Sequence, residues 1–220
     1  MRIAFPLGAI ALALAAPTLV ATSTQLIAQS APQNPGVKDK SRVVAGTYAT
    51  DPSHTLIVWQ VDHLGFSKYR GIFGDIAGTL KIDPANLAAS SVDVSIPIAS
   101  VTTASAGLTG HLLKAGADGA KPDFFGPAPA SARFVSTAVH LDDDGDEAKI
   151  TGNLTLNGIT RPVTLDAEFH GAGMHPMMKK ETIGFSAEAK IKRSEFGINY
   201  GLPFVSDEVE LDISAEFIKQ

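Results

Sequence analysis

Six histidines and no cysteine set the chemistry open to this chain of 220 residues. Without a thiol there is no disulfide, no thiolate metal site and no cysteine nucleophile. His54 and His63 flank an apolar stretch, and His111 stands in a segment without regular alternation. Each imidazole can bond an oxygen of a bound molecule, and each can equally tie down local backbone. Arg193, ahead of Phe196-Gly197, presents a planar fork of donors that suits a phosphate or a carbonyl oxygen. An ion pair with Asp51 or Asp207 is the other use of that fork, and the favoured one. His54 with Asp51 has the composition of a base and its orienter.

Two further clusters carry less. Met174-His175-Pro176-Met177-Met178 is a soft donor set that suits Cu(I), but no second His or Met cluster of defined spacing completes it, so an apolar rim is the better reading. The acidic run from Asp142 to Glu147 departs from a calcium loop because Glu147 stands where glycine is required, which leaves a solvated turn. No metal site and no cofactor are assigned. Neither a G-x-S-x-G elbow, nor an H-E-x-x-H pair, nor a phosphate-cradling glycine loop occurs, so the chain does not read as an enzyme. The net charge of -5, without a clustered Lys/Arg face, repels phosphate backbones and anionic lipid headgroups, so nucleic acid is not expected as a partner.

The elements that position these residues are strands. Apolar residues recur at every second place in Val92, Val94, Ile96 and Ile98, again from Ala148 to Leu156, from Val163 to Phe169, from Ile183 to Ile191 and from Val209 to Phe217. A glycine-dotted version runs through Ile72, Gly74, Ile76, Gly78, Leu80 and Ile82, as in a strand that bends at a barrel corner. Asn157-Gly158 and Asp144-Gly145 sit between alternating runs and predict hairpins. With Thr55 to Val61 and Ala132 to Leu141 the runs come to about eight, the number that closes an all-β antiparallel barrel around one small ligand. One segment, residues 103–115, lacks alternation and predicts a short helix capped at Thr103, either a lid over a barrel mouth or a surface connector. In such a barrel Trp59, Phe66, Phe73, Phe134 and Phe185 are candidate cavity walls.

The N-terminus adds a compartment. Met1-Arg2, the apolar run Ile3 to Ala16 and small residues at Ala15, Ala21 and Ser23 have the order of parts of a secretory signal peptide, placed at residues 1–23. Pro6, Pro17 and the many alanines make it a weak membrane span, so permanent insertion is not expected. Residues 24–46 read as a disordered linker, and the folded domain as 47–220.

Several spaced blocks carry a family resemblance. They are Tyr48, Asp51, His54, Trp59, His63, Gly65-Phe66-Ser67, Gly71 and Phe73; then Gly110-His111-Leu112 and Asp123-Phe124-Phe125; then Gly152 to Val163; then Arg193-Ser194-Glu195-Phe196-Gly197 with Asp207. In these the chain resembles the YceI-like family, periplasmic lipocalin-like proteins that bind polyisoprenoid lipids. Thr55, Glu195 and the GADGAKP segment before Asp123 depart from the family pattern. The resemblance implies an eight-stranded lipocalin-like barrel with a long apolar cavity, a polyprenyl chain or an isoprenoid quinone as ligand, periplasmic location and no catalytic step. For such a cavity the candidate ligand contacts, read from the residues themselves, are His54, Trp59, His63, Phe66, Phe73, His111, Phe134, Phe185 and Arg193. A barrel enzyme on a small apolar substrate and a structural protein with a filled core remain the alternatives. A homodimer is open, although outward Glu210, Asp212 and Glu216 argue against the last strand as its interface.

Overall fold

A computed structural model of the chain describes residues 33–220; the proposed signal peptide and the first part of the linker lie outside the described residues. Each alternating run forms a strand: β1 (Gly46–Thr50), β2 (Leu56–His63), β3 (Ser67–Phe73), β4 (Ala77–Ile82), β5 (Ser91–Ile96), β6 (Thr102–Thr103), β7 (Ala132–Leu141), β8 (Glu147–Leu156), β9 (Ile159–Met174), β10 (Glu181–Lys192) and β11 (Glu208–Lys219). Neighbours run antiparallel in the order β1-β4-β5-β7-β8-β9-β10-β11, and β1 pairs back with β11 to close the ring. That ring is the eight-stranded barrel the alternation predicts. The remaining pieces, β2, β3 and β6, extend the lines of β1, β4 and β5, and β2 pairs with the first half of β11.

Breaks in these lines have local causes. Between β1 and β2 the chain turns at Asp51, whose carboxylate accepts from Ser53 N at 2.9 Å. The Glu216 backbone bridges that turn: its carbonyl accepts from Asp51 N at 2.8 Å, and its N–H donates to Thr55 Oγ1 at 3.1 Å. Between β3 and β4, Asp75 takes a left-handed φ of 55°. This bend inverts the alternation, so that Phe73 faces inward before it and Ile76 and Leu80 face inward after it. Ile72, read from the sequence as sharing a face with Ile76, is therefore 43% exposed on the outside. Asn157 and Gly158 both have positive φ, 51° and 74°, as the predicted hairpin turn requires.

The excursion between β6 and β7 contains a helix, α1 (Ala106–Leu112), capped by Ser105, whose Oγ accepts from Leu108 N at 3.3 Å. Thr103, the cap expected from sequence, lies in β6 and bonds Thr109 instead. On this side β6 pairs only with β3, so α1 and the Phe124-Phe125 segment cover the side of the barrel that strands leave open. Phe125 N donates to Leu112 O at 3.0 Å and ties the two together.

Within the stretch read as a linker, residues 34–45 lie along the barrel. Val37 exchanges two backbone hydrogen bonds with Ala172 on β9, at 3.2 and 3.0 Å. Glycine at 173 is required for that approach, since a Cβ there would stand 2.0 Å from the Pro35 carbonyl. Lys38 pairs with Glu168 at 2.6 Å and Lys40 with Asp146 at 2.8 Å. These are the contacts of a strap. Among the described residues no helix is long and apolar enough to cross a membrane.

Candidate functional site

Inward-facing apolar residues leave two chambers inside the barrel, each of about 450 Å³, with no lining residue in common. That is a size at which drug-sized ligands are held. The upper chamber has walls of Trp59, Val61, Tyr69 and Phe73 from the β2–β3 hairpin, Leu154 and Leu156 from β8, Ile191 from β10, and Val209 and Leu211 from β11. Leu108, His111 and Leu112 of α1 line it with Phe124 and Phe125, so the helix closes a side of this chamber. His63, Tyr200 and Val205 also line it, on the side of the β2–β3 turn. The lower chamber is built from Leu80, Val92, Val139, Leu141, Ile150, Phe169 and Phe185, with Lys40, Ser41 and Val43 of the strap and Asp144, Asp146 and Glu147 of the β7–β8 turn at its edge.

A belt separates them. Phe134, Val163 and Ala189 are buried and pack against Val92 and Ile150 of the lower chamber and against Leu154, Ile191 and Leu211 of the upper one. The long cavity implied by the resemblance is thus crossed at its waist by the Phe134 ring.

The candidate residues separate accordingly. Trp59, His63, Phe73, His111 and Arg193 come together around the upper chamber, and Phe185 lies in the lower one. Phe134 forms the belt, and Phe66 projects outside at 89% exposure. His54 lines neither chamber: its Nδ1 is 2.8 Å from Asp51 Oδ2 at the β1–β2 turn, and the ring is 58% exposed. The Asp51 hydrogen bond and charge, with Glu216 adding to them, raise the His54 pKa above its ordinary value. Tyr69, Phe124 and Tyr200 also belong to the site; Tyr69 shares the β3 parity of Phe73, whereas the other two carry no period-two signal. Phe124 and Tyr200 sit in irregular segments, and with His111 they form a trio of rings with centroids 5.1 to 5.4 Å apart.

Two polar groups of the upper chamber, His111 and Arg193, are already engaged, whereas Trp59 Nε1 is buried without a hydrogen-bond partner. His111 Nε2 lies 2.9 Å from Asp123 Oδ2. Arg193, 5% exposed, donates to the carbonyls of Ser206, Ile198, Tyr200 and Val205 at 2.8, 3.1, 2.8 and 2.8 Å. Its role is to staple the β10–β11 connection. The expected ion pair is replaced by these carbonyl bonds, and Asp207 turns to Ser194, accepting from its N at 2.8 Å and its Oγ at 2.7 Å. Burial lowers the Arg193 pKa from its ordinary value, with the Asp207 charge opposing. The Met174–Met178 loop is exposed and lines neither chamber; His175 Nδ1 accepts from Met177 N and Met178 N at 3.3 and 3.1 Å, and so caps the turn.

A closed barrel with apolar chambers, a covering helix and the Gly152–Val163 hairpin agrees with a comparison against known proteins, in which residues 48–217 match the YceI-like domain. The chain belongs to the YceI-like family. Over 180 residues it is 42% identical to Protein YceI of Escherichia coli O157:H7, covering 80% of this chain and 89% of that relative. A crystal structure of the Campylobacter jejuni YceI protein matches with a TM-score of 0.58 at 33% identity, over 72% of this chain and 90% of the other. Burkholderia cenocepacia BcnA shares the fold with a TM-score of 0.63 at 24% identity, over 76% and 98% of the two chains. A Saccharophagus degradans domain described as polyisoprenoid binding shares it with a TM-score of 0.52 at 13% identity, over 79% and 98%.

Proposed function

We propose that this protein is a non-enzymatic carrier that holds an isoprenoid lipid, a polyprenyl chain or the tail of an isoprenoid quinone, within its barrel, and that it works in the periplasm after export. The observation that carries the reading is the pair of apolar chambers at the two ends of one barrel interior. An isoprenoid tail gains about 0.8 kcal/mol per buried carbon-sized unit, so a few isoprene units suffice to draw it from water. Family membership and the polyisoprenoid-binding domain of the same fold support the ligand class.

The commitment of Arg193 narrows the headgroup. Arg193 commits four hydrogen bonds to backbone carbonyls, which leaves the upper chamber no uncommitted guanidinium for a phosphate. An uncharged headgroup suits this interior, and a charged one stays at the mouth. The pair with the composition of a catalytic dyad, His54–Asp51, lies outside both chambers.

Organic extraction of the protein purified from the periplasmic fraction, followed by mass spectrometry, tests the reading. A stoichiometric long-chain isoprenoid is the expected result. Folded protein whose extract is empty, and which takes up no added isoprenoid, overturns it.

A further inference from the structure

Four large apolar side chains stand in solvent at one end of the barrel: Leu64, Phe66, Tyr200 and Phe204, exposed by 46, 89, 50 and 69%. They come from two segments that are bonded to each other, the β2–β3 turn and the connection before β11. Leu64 N donates to Phe204 O at 2.9 Å, His63 pairs with Val205, and Ser206 N donates to Asp62 O at 3.0 Å. Arg193 fixes the second segment through the carbonyls of Tyr200 and Val205. The crown is therefore held in place from both sides. His63, Tyr200 and Val205 also line the upper chamber, so the exposed tips continue the chamber wall outward at its mouth.

The turn itself is set against local preference. Leu64 takes a φ of 59° and Gly65 one of 72°, a turn whose first position suits Asn or Gly, yet a leucine occupies it with its side chain in water. Asp62 Oδ1 accepts from Gly65 N at 2.7 Å and holds the conformation. Such placement is explained when the leucine has a partner.

We propose that this crown docks the chamber mouth onto a lipid bilayer surface, so that the cargo passes between membrane and chamber without crossing water. The exposed apolar area of the four side chains is on the order of 500 Å², below the roughly 800 Å² per partner of a stable protein interface. The apolar tips continue a chamber wall, whereas a dimer needs a self-complementary face, and a second copy would seal this end of each barrel against the other. Aromatic tips around a small area suit the interfacial zone of a bilayer, where ring and headgroup level match. Lys68, paired with Glu210 at 3.5 Å, and Arg70, which has no ion-pair partner among the described residues, are exposed on β3 just beyond Phe66, at the level of the headgroups.

This inference rests on the carrier reading, and flotation with vesicles of phosphatidylethanolamine and phosphatidylglycerol tests it separately from cargo extraction. Wild-type protein is expected to float. The double variant Phe66→Ser/Phe204→Ser, whose side chains are mostly in solvent, should keep its melting behaviour and lose roughly tenfold or more in vesicle partition. Met177→Ser, on the exposed β9–β10 turn at the opposite end of the barrel, should float as wild type. Wild-type protein that stays in solution overturns the docking, as does a double variant that floats undiminished. So does a dimer in sedimentation that the double variant breaks without any vesicle binding, which assigns the crown to a second copy. Isoprenoid in the extract without flotation overturns docking alone; flotation with an empty extract supports docking and overturns the cargo.

Discussion

The Phe134 ring lies across Gly152 on the neighbouring strand, where an added Cβ would stand 2.4 Å from Phe134 Cζ. Only a residue without a side chain leaves room for the ring that divides the two chambers. Phe134→Ala should join them into one cavity at a cost of about 3 to 5 kcal/mol in denaturant unfolding, and the isoprenoids extracted from the variant should be longer. Gly152→Ala forces the ring to move and should cost about 1 to 3 kcal/mol through overpacking. Unchanged tail lengths in a folded Phe134→Ala variant would show that the ring does not limit the cargo.

Arg193 makes a second prediction because its donors end on four carbonyls of one connection. Truncation leaves these acceptors partly buried and unpaired. Arg193→Met should destabilise by about 3 kcal/mol, and amide exchange should quicken first over residues 198–206. Arg193→Lys restores the charge without the planar fork and should recover only a minor part of the loss. A full rescue by lysine would mean that charge, and not the carbonyl staple, matters at this position.

The barrel was legible because period-two alternation reports a one-sided strand directly, as in β8, where Ile150, Leu154 and Leu156 all line a chamber. The inversion at Asp75 was not, since a left-handed aspartate is a property of the bend and leaves no compositional mark. The upper chamber was half legible. Trp59 and Phe73 follow from strand parity once β2 and β3 are placed, whereas Phe124 and Tyr200 reach the site through irregular segments whose course depends on tertiary docking. His54 illustrates the converse: its pairing with Asp51 was legible from their spacing, but its place outside both chambers depends on the tertiary fold.

The strap supplies a third prediction. Pro35 and Val37 lie flush on β9 at Gly171 and Gly173, and Lys40 reaches the β7–β8 turn at the edge of the lower chamber. Gly173→Ala puts a methyl group against the Pro35 carbonyl and should lift the strap without altering a chamber wall. Uptake of an apolar fluorophore should then quicken several-fold, and protease should cut within residues 34–42 of the variant before wild type. Because the lysine pairs are exposed, raising the salt concentration should shift wild type only slightly toward the same behaviour. Equal uptake rates in the two proteins would remove the strap as a gate.

His54 and Asp51 set a pH dependence with two limbs. The Asp51 hydrogen bond and charge raise the folded His54 pKa above its ordinary 6.5, so its contribution to stability is complete below that pH and lost as pH rises through the higher folded value. For Asp51, burial opposes ionisation, but the His54 and Ser53 hydrogen bonds outweigh it and hold the carboxyl below its ordinary 3.8. Its contribution is present above that pH and lost as pH falls through the lower folded value. The pair therefore stabilises most between pH 3.8 and 6.5. His54→Gln should melt below wild type in that window, and the two melting curves should converge at alkaline pH. The difference should be small, because the imidazole is largely in solvent. An offset that stays constant from acid to alkaline pH would assign the effect of the substitution to packing at the β1–β2 turn and leave the ion pair without a role.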